Sequence, residues 1–109
     1  MTTSDYIYKL VRVGEILGLK FVLHDQSLPK NVAGRICYRK KTVRINEPCA
    51  EDALMIVAHE LGHFFHHLRN KDRKIGRDKR EISAYLYGWG LLKRIKAPIS
   101  KEQWIGIHS

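Results

Sequence analysis

The stretch "NEPCAEDALMIVAHELGHFFHHLR", residues 46–69, decides how the chain is read. Pro48 stands near a first-turn position, with acidic Glu51 and Asp52 close behind, and both features favour a helix N-terminus. The spacing predicts a long helix from about residue 47 to residue 69. Leu54, Ala58, Leu61, Phe65 and Leu68 recur as an apolar stripe on one side, while Ile56, Val57 and Phe64 cover other directions. Between residues 53 and 65 the strongly polar side chains are His59, Glu60 and His63, all within one arc. A nearly buried helix therefore focuses its polar groups on one spot, and buried polar groups require partners.

Residues four apart on a helix differ by about 40° around the axis and lie about one turn apart, so His59 and His63 can face a single ion. Glu60, rotated by about 100° from His59, falls beside such an ion rather than on it. This is the mechanical content of HExxH: two metal ligands and a carboxylate placed to take a proton from water. The rival reading is a pair of histidines hydrogen-bonded in the core or on a solvated face. His66 shares the angular position of His63 but lies about 10 Å of helix rise from His59, too far to join both on one ion. His67 is rotated further round. The longer HExxHxxGxxH pattern fails, because its Gly position is His66 and its third His position is Arg69.

A catalytic zinc needs a third protein ligand and an open fourth position. Glu81 heads an apolar stripe of Ala84, Tyr85, Gly88, Leu91, Leu92 and Ile95 on a second helix, "KREISAYLYGWGLLKRI" (79–95). A carboxylate aimed into the core is costly unless it reaches a cation. Asp78 is the alternative, although capping and ion pairs with Arg77, Lys79 and Arg80 also account for it.

The remaining sequence supplies a small sheet and two more helices. Ser4 or Asp5 caps a first helix on which Tyr6, Leu10, Val13 and Leu17 recur until Gly18. "KFVLHD" (20–25) is a strand, and "RICYR" (35–39) and "TVRIN" (42–46) form a hairpin with Val43 and Ile45 on one face. Pro98 ends the helix over 79–95, and Ser100 with Gln103 matches a capping box for a short helix that seats Trp104 and Ile105. The expected fold is α+β: about three strands packed against three to four helices, in a single domain spanning residues 1–109.

The 109 residues carry 20 Lys and Arg against 11 Asp and Glu, a net charge of +9. The basic residues cluster in "RKKTVR" (39–44) and "RNKDRKIGRDKR" (69–80), which suit a solvated surface, nucleic-acid phosphates or an acidic partner. No nucleic-acid recognition motif accompanies them. Cys37 and Cys49 fall in no CxxC or Cys/His pattern, arguing against a thiolate metal site and for two small buried hydrophobes. No apolar run approaches the roughly 20 residues of a membrane span, and the start lacks a signal-peptide pattern, so a cytosolic location is expected.

Taken together, "INEP", "IVAHELGHFFHH" and "REISAYLYG" resemble the ImmA/IrrE-type metallopeptidases, whose pattern is an Ile-Asn strand end, an AHELGHxxLH helix and a later ExxAxxFA helix. The match covers roughly residues 32–95: Ile45 and Asn46, then Ala58 to His63 with His67, then Glu81 to Ala84. The resemblance implies a gluzincin-like site on a minimal zincin-like catalytic core, with one Zn2+ on His59, His63 and Glu81 and Glu60 as general base. It further implies an endopeptidase acting on a cytosolic protein such as a helix-turn-helix repressor of a phage or mobile element. Tyr85, His66 and His67 are candidates for the second oxyanion donor, and the hairpin edge around Thr42–Asn46 for pairing with an extended substrate. Two other readings use the same residues: an interaction protein in which zinc is structural and the basic surface binds DNA or an acidic partner, and a toxin or effector of a two-gene module.

Overall fold

The computed structural model describes residues 1–70 and 76–108. In chain order these form α1 (Thr3–Ile16), β1 (Lys20–Leu23), β2 (Gly34–Cys37), β3 (Thr42–Ile45), α2 (Ala50–Arg69), α3 (Arg77–Arg94) and α4 (Lys101–Ile107). The architecture is α+β, with three strands and four helices, as the sequence pattern predicts. Residues 71–75 of the second basic cluster lie outside the described residues. Among the described residues, no helix is long and apolar enough to cross a membrane.

Helix α1 starts two residues before the position expected from Ser4. Thr2 is its cap: the Thr2 hydroxyl accepts from the Asp5 N–H at 3.3 Å, and the Asp5 carboxylate accepts from the Thr2 N–H at 2.8 Å. Asp5 thus serves three residues into the helix rather than as the cap, satisfying two end donors reciprocally. Leu10, Val11 and Gly14 form the buried face, whereas Leu17, expected in the stripe, is the C-cap and 37% exposed.

The sheet order is β1-β3-β2, with β1 parallel and β2 antiparallel to β3. Val43 faces Phe21 on one side and Ile36 on the other, and Ile45 faces Leu23 and Gly34. The period-2 pattern puts Val43 and Ile45 on one face, where both are buried beneath the helices. Strand β3 is therefore central, which corrects the expectation that Thr42–Asn46 offers a free edge. The reason is the parallel pairing with β1, which a hairpin reading of the sequence leaves out. Among the described residues, the edge of the hairpin that pairs with no further strand is β2.

Helix α2 buries Leu54, Val57, Ala58, Leu61 and Phe64. Its core face is thus turned from the expected stripe, since Leu68 is exposed and Phe65 instead lies against the Tyr87 ring of α3 at 6.3 Å. Helices α2 and α3 cross with almost no gap. A Cβ on Gly62 would overlap the Ala84 carbonyl oxygen, and one on Gly88 would come within 2.9 Å of the Ala58 carbonyl oxygen and 2.8 Å of the Trp104 ring. Two glycines, one on each helix, set the depth of this contact.

The capping box of α4 is present: the Ser100 hydroxyl accepts from the Gln103 N–H at 3.1 Å, and the Gln103 side chain accepts from the Ser100 N–H at 2.7 Å. The Gln103 amide also donates to Glu51 of α2 at 3.0 Å. Trp104 is fully buried as expected, but Ile105 is 46% exposed, and Ile107 packs on the core in its place. Three residues on from Trp104 is the same helix face; one residue on is not. Cys37 is half-buried and Cys49 is exposed at the α2 N-cap, so Cys49 is not the core hydrophobe expected.

Between β1 and the following loop, the Asp25 carboxylate accepts from the Ser27 N–H at 3.0 Å, the Ser27 hydroxyl at 2.6 Å and Arg44 at 2.7 Å. The Ser27 and Arg44 donors hold its pKa down at about 2. An acid whose pKa falls on folding stabilises the native state above its unfolded value near 3.9 and loses that contribution as pH falls through the folded value. Urea unfolding between pH 5 and pH 2 should therefore show a decline in stability that is shallower in Asp25→Asn.

Candidate metal centre

His59 and His63 project from one face of α2, four residues apart, and Glu81 comes from the start of α3. His59 Nε2 lies 3.1 Å from His63 Nε2. Glu81 reaches both: its Oε2 is 3.3 Å from His59 Nε2 and its Oε1 is 3.4 Å from His63 Nε2. The two ring planes are nearly perpendicular, at 86°. The crossing at Gly62 and Gly88 brings α3 close enough for a carboxylate to span this distance.

The donor set fits zinc. Ligands held about 2.0–2.1 Å from a tetrahedral ion stand about 3.3 Å apart; here the two ring nitrogens are 3.1 Å apart, and each has a different oxygen of the Glu81 carboxylate at 3.3 or 3.4 Å. Burial lowers the pKa of both histidines, and the proximity of the two rings lowers that of His59 further. Neutral imidazoles facing each other across 3.1 Å are in the form that binds a metal. Glu81 reaches them, whereas Asp78 lies in the exposed first turn of α3. The Glu81 side chain is 50% exposed, not aimed into the core as the apolar stripe of its helix predicts.

Glu60 sits beside the two histidines, with ligand atoms of His59, Glu60 and His63 all within 4.8 Å of one another. Only 7% exposed, its carboxyl is pushed up to about 7, mainly by burial and further by the charge of Glu81. It opens onto a cleft of about 290 Å³ whose lining includes Val32, Gly34, Ile56, His59, Glu60 and His108. Gly34, at the start of the edge strand β2, forms the wall opposite α2; a Cβ there would meet the Ile56 side chain and come within 3.5 Å of Glu60 Cγ.

The flanking histidines separate from the centre. His66 is buried, with Nδ1 3.3 Å from the Asn70 amide nitrogen. His67 stacks on Tyr38 at 4.2 Å and 19°. Tyr85 lies one turn past Glu81, with its ring 5.6 Å from Trp104 and 5.0 Å from His108.

Two residues at this site have no counterpart in the sequence reading. Tyr38, just past β2, is half-buried, and burial raises its pKa, with the charges of Glu60 and Glu81 adding to the effect. His108, at the C-cap of α4, is within hydrogen-bond distance of His59 and the Trp104 carbonyl. Its approach depends on where α4 docks, which no local pattern encodes. In comparisons with known proteins, no family model, no curated protein and no solved structure matches the chain.

Proposed function

We propose that the chain is a zinc-dependent endopeptidase acting on a cytosolic protein, with His59, His63 and Glu81 holding the ion and Glu60 as the general base. The observation that supports this most is the convergence of two ring nitrogens and the Glu81 carboxylate, with contacts of 3.1–3.4 Å, and a buried carboxylate alongside. Zinc bound there supplies Lewis acidity, bringing the pKa of water toward about 7 and polarising the scissile carbonyl.

The chain's own residues do the rest. Glu60, with its carboxyl held near 7, takes a proton from the attacking water and passes it to the departing amine as the C–N bond breaks. Tyr85, one turn past Glu81 with its ring against His108, is our candidate for the donor to the developing oxyanion. The open edge of β2, ending at the cleft wall formed by Gly34, takes the substrate as an added strand and holds its scissile bond over the donors. A buried carboxylate beside the donors has no use in a site that only staples the fold. The target we favour is a helix-turn-helix repressor.

The test is to incubate the zinc-loaded protein with such repressors and with a cell lysate, then read new N-termini by mass spectrometry. Site-specific termini that vanish on chelation are expected. Identical termini with and without chelator would overturn the reading.

A further inference from the structure

His108 stands outside the donor set but in contact with it. Its Nδ1 is 2.7 Å from the Trp104 carbonyl oxygen, and its Nε2 is 2.8 Å from His59 Nδ1. A carbonyl oxygen can only accept, so His108 Nδ1 carries a hydrogen and donates. In a neutral ring that leaves Nε2 as an acceptor, and the hydrogen between the two rings then belongs to His59 Nδ1. His59 Nε2 is left with a lone pair at the position shared with His63 and Glu81, where in the metal-free protein it accepts the hydrogen of His63 Nε2, 3.1 Å away.

We propose that His108 is a positioning residue that sets the tautomer and ring orientation of His59 for metal binding, through a relay from the Trp104 carbonyl to His108 and on to His59. This deepens the metal reading above and rests on it. Which nitrogen of a ligating histidine is free is decided by the hydrogen bond its other nitrogen makes.

The surroundings hold the His108 ring in place although the residue is exposed. Its ring centroid is 4.4 Å from Trp104 at 62°, 5.0 Å from Tyr85 at 75° and 4.8 Å from His59. Trp104 is itself fully buried, seated where Gly88 of α3 has no side chain. The capping box and the bond from Gln103 to Glu51 fix the other end of α4. Every anchor of this short helix thus bears on where the His108 ring stands. The acceptor required at its Nε2 position is one that Gln can supply and Leu cannot.

The experiment uses the whole chain, with histidine ring nitrogens followed by 15N NMR in the metal-free protein and zinc affinity measured by competition with a chelator. In the metal-free wild type, His59 should carry its hydrogen on Nδ1. His108→Leu should lose that preference and bind zinc about 10- to 100-fold more weakly, the range typical for removing an outer partner of a ligand. His108→Gln should restore both, which a purely structural role for the ring would not produce. A hydrogen on His59 Nε2 in the wild type, or zinc bound equally tightly by His108→Leu, would overturn the proposal. Failure of the wild type to bind zinc would instead overturn the metal reading, while the tautomer in the metal-free protein would still decide the role of His108.

Discussion

Glu60→Gln should retain zinc at one ion per chain and lose roughly 10³-fold or more in hydrolysis, because general base catalysis contributes about 10²–10⁴-fold. Glu81→Ala should behave in the opposite way. Loss of an outer partner alone weakens a site about 10- to 100-fold, so loss of a direct ligand should weaken zinc binding by more than about 100-fold. Metal analysis and rate measurements on the two variants together separate holding the ion from using it. If Glu81→Ala holds zinc as tightly as the wild type, the ligand assignment fails; if Glu60→Gln hydrolyses at the wild-type rate, the base assignment fails.

Glu60→Gln has a second signature in the metal-free protein. Burial raises the Glu60 pKa from 4.5 to about 7. An acid whose pKa rises on folding takes up a proton on folding, so native stability declines as pH increases from the unfolded value through the folded one. At pH 8 the neutral variant should therefore be more stable in urea by about 3 kcal/mol, and the gap should close below about pH 4.5. A group kept at the expense of stability is what a functional carboxylate looks like.

The largest structural effect is expected from Gly62→Ala. Helix propensity favours Ala over Gly by about 1 kcal/mol. Here the added carbon would overlap the Ala84 carbonyl oxygen, which is backbone and cannot rotate away. Overpacking a core typically costs about 1–3 kcal/mol, with backbone collisions at the upper end. The steric effect wins, and a net loss of about 2 kcal/mol is expected. Gly90→Ala on α3 provides the control: nothing lies within 4 Å of its added carbon, so propensity alone acts. It should gain up to about 1 kcal/mol. Because parting the helices also carries Glu81 away from His59 and His63, Gly62→Ala should weaken zinc binding while Gly90→Ala leaves it unchanged. Equal stability of Gly62→Ala and the wild type would refute the close crossing.

How much of this was legible beforehand depended on whether the determining contact is local. The bounds of α2 and α3, the hairpin and the cap of α4 follow from spacing and end chemistry within a few residues. The arc of His59, Glu60 and His63 is equally local, being set by helical rotation. The parallel pairing of β1 with β3 joins Lys20–Leu23 to Thr42–Ile45 across an intervening strand, and alternation cannot say which neighbour a strand takes. That omission put the open edge on the wrong strand. Glu81 was reached by an argument that its exposure contradicts; what joins it to the histidines is the depth of the helix crossing. His108 was out of reach because its place depends on how Trp104 of its own helix seats against Gly88 of α3 and on the tie from Gln103 to Glu51 of α2.

The open edge of β2 has one more consequence, for self-association. Unpaired backbone along a sheet edge is sticky toward any extended chain, a second copy of the protein included. Exposed Arg35 and Arg39 bracket this short edge. Laying two copies edge to edge would bring arginines of both copies along one seam, and like-charge repulsion opposes that encounter. A visiting peptide without such charges meets no comparable barrier. The two arginines therefore set the edge against its own copy in particular, and added salt, by screening them, weakens that effect.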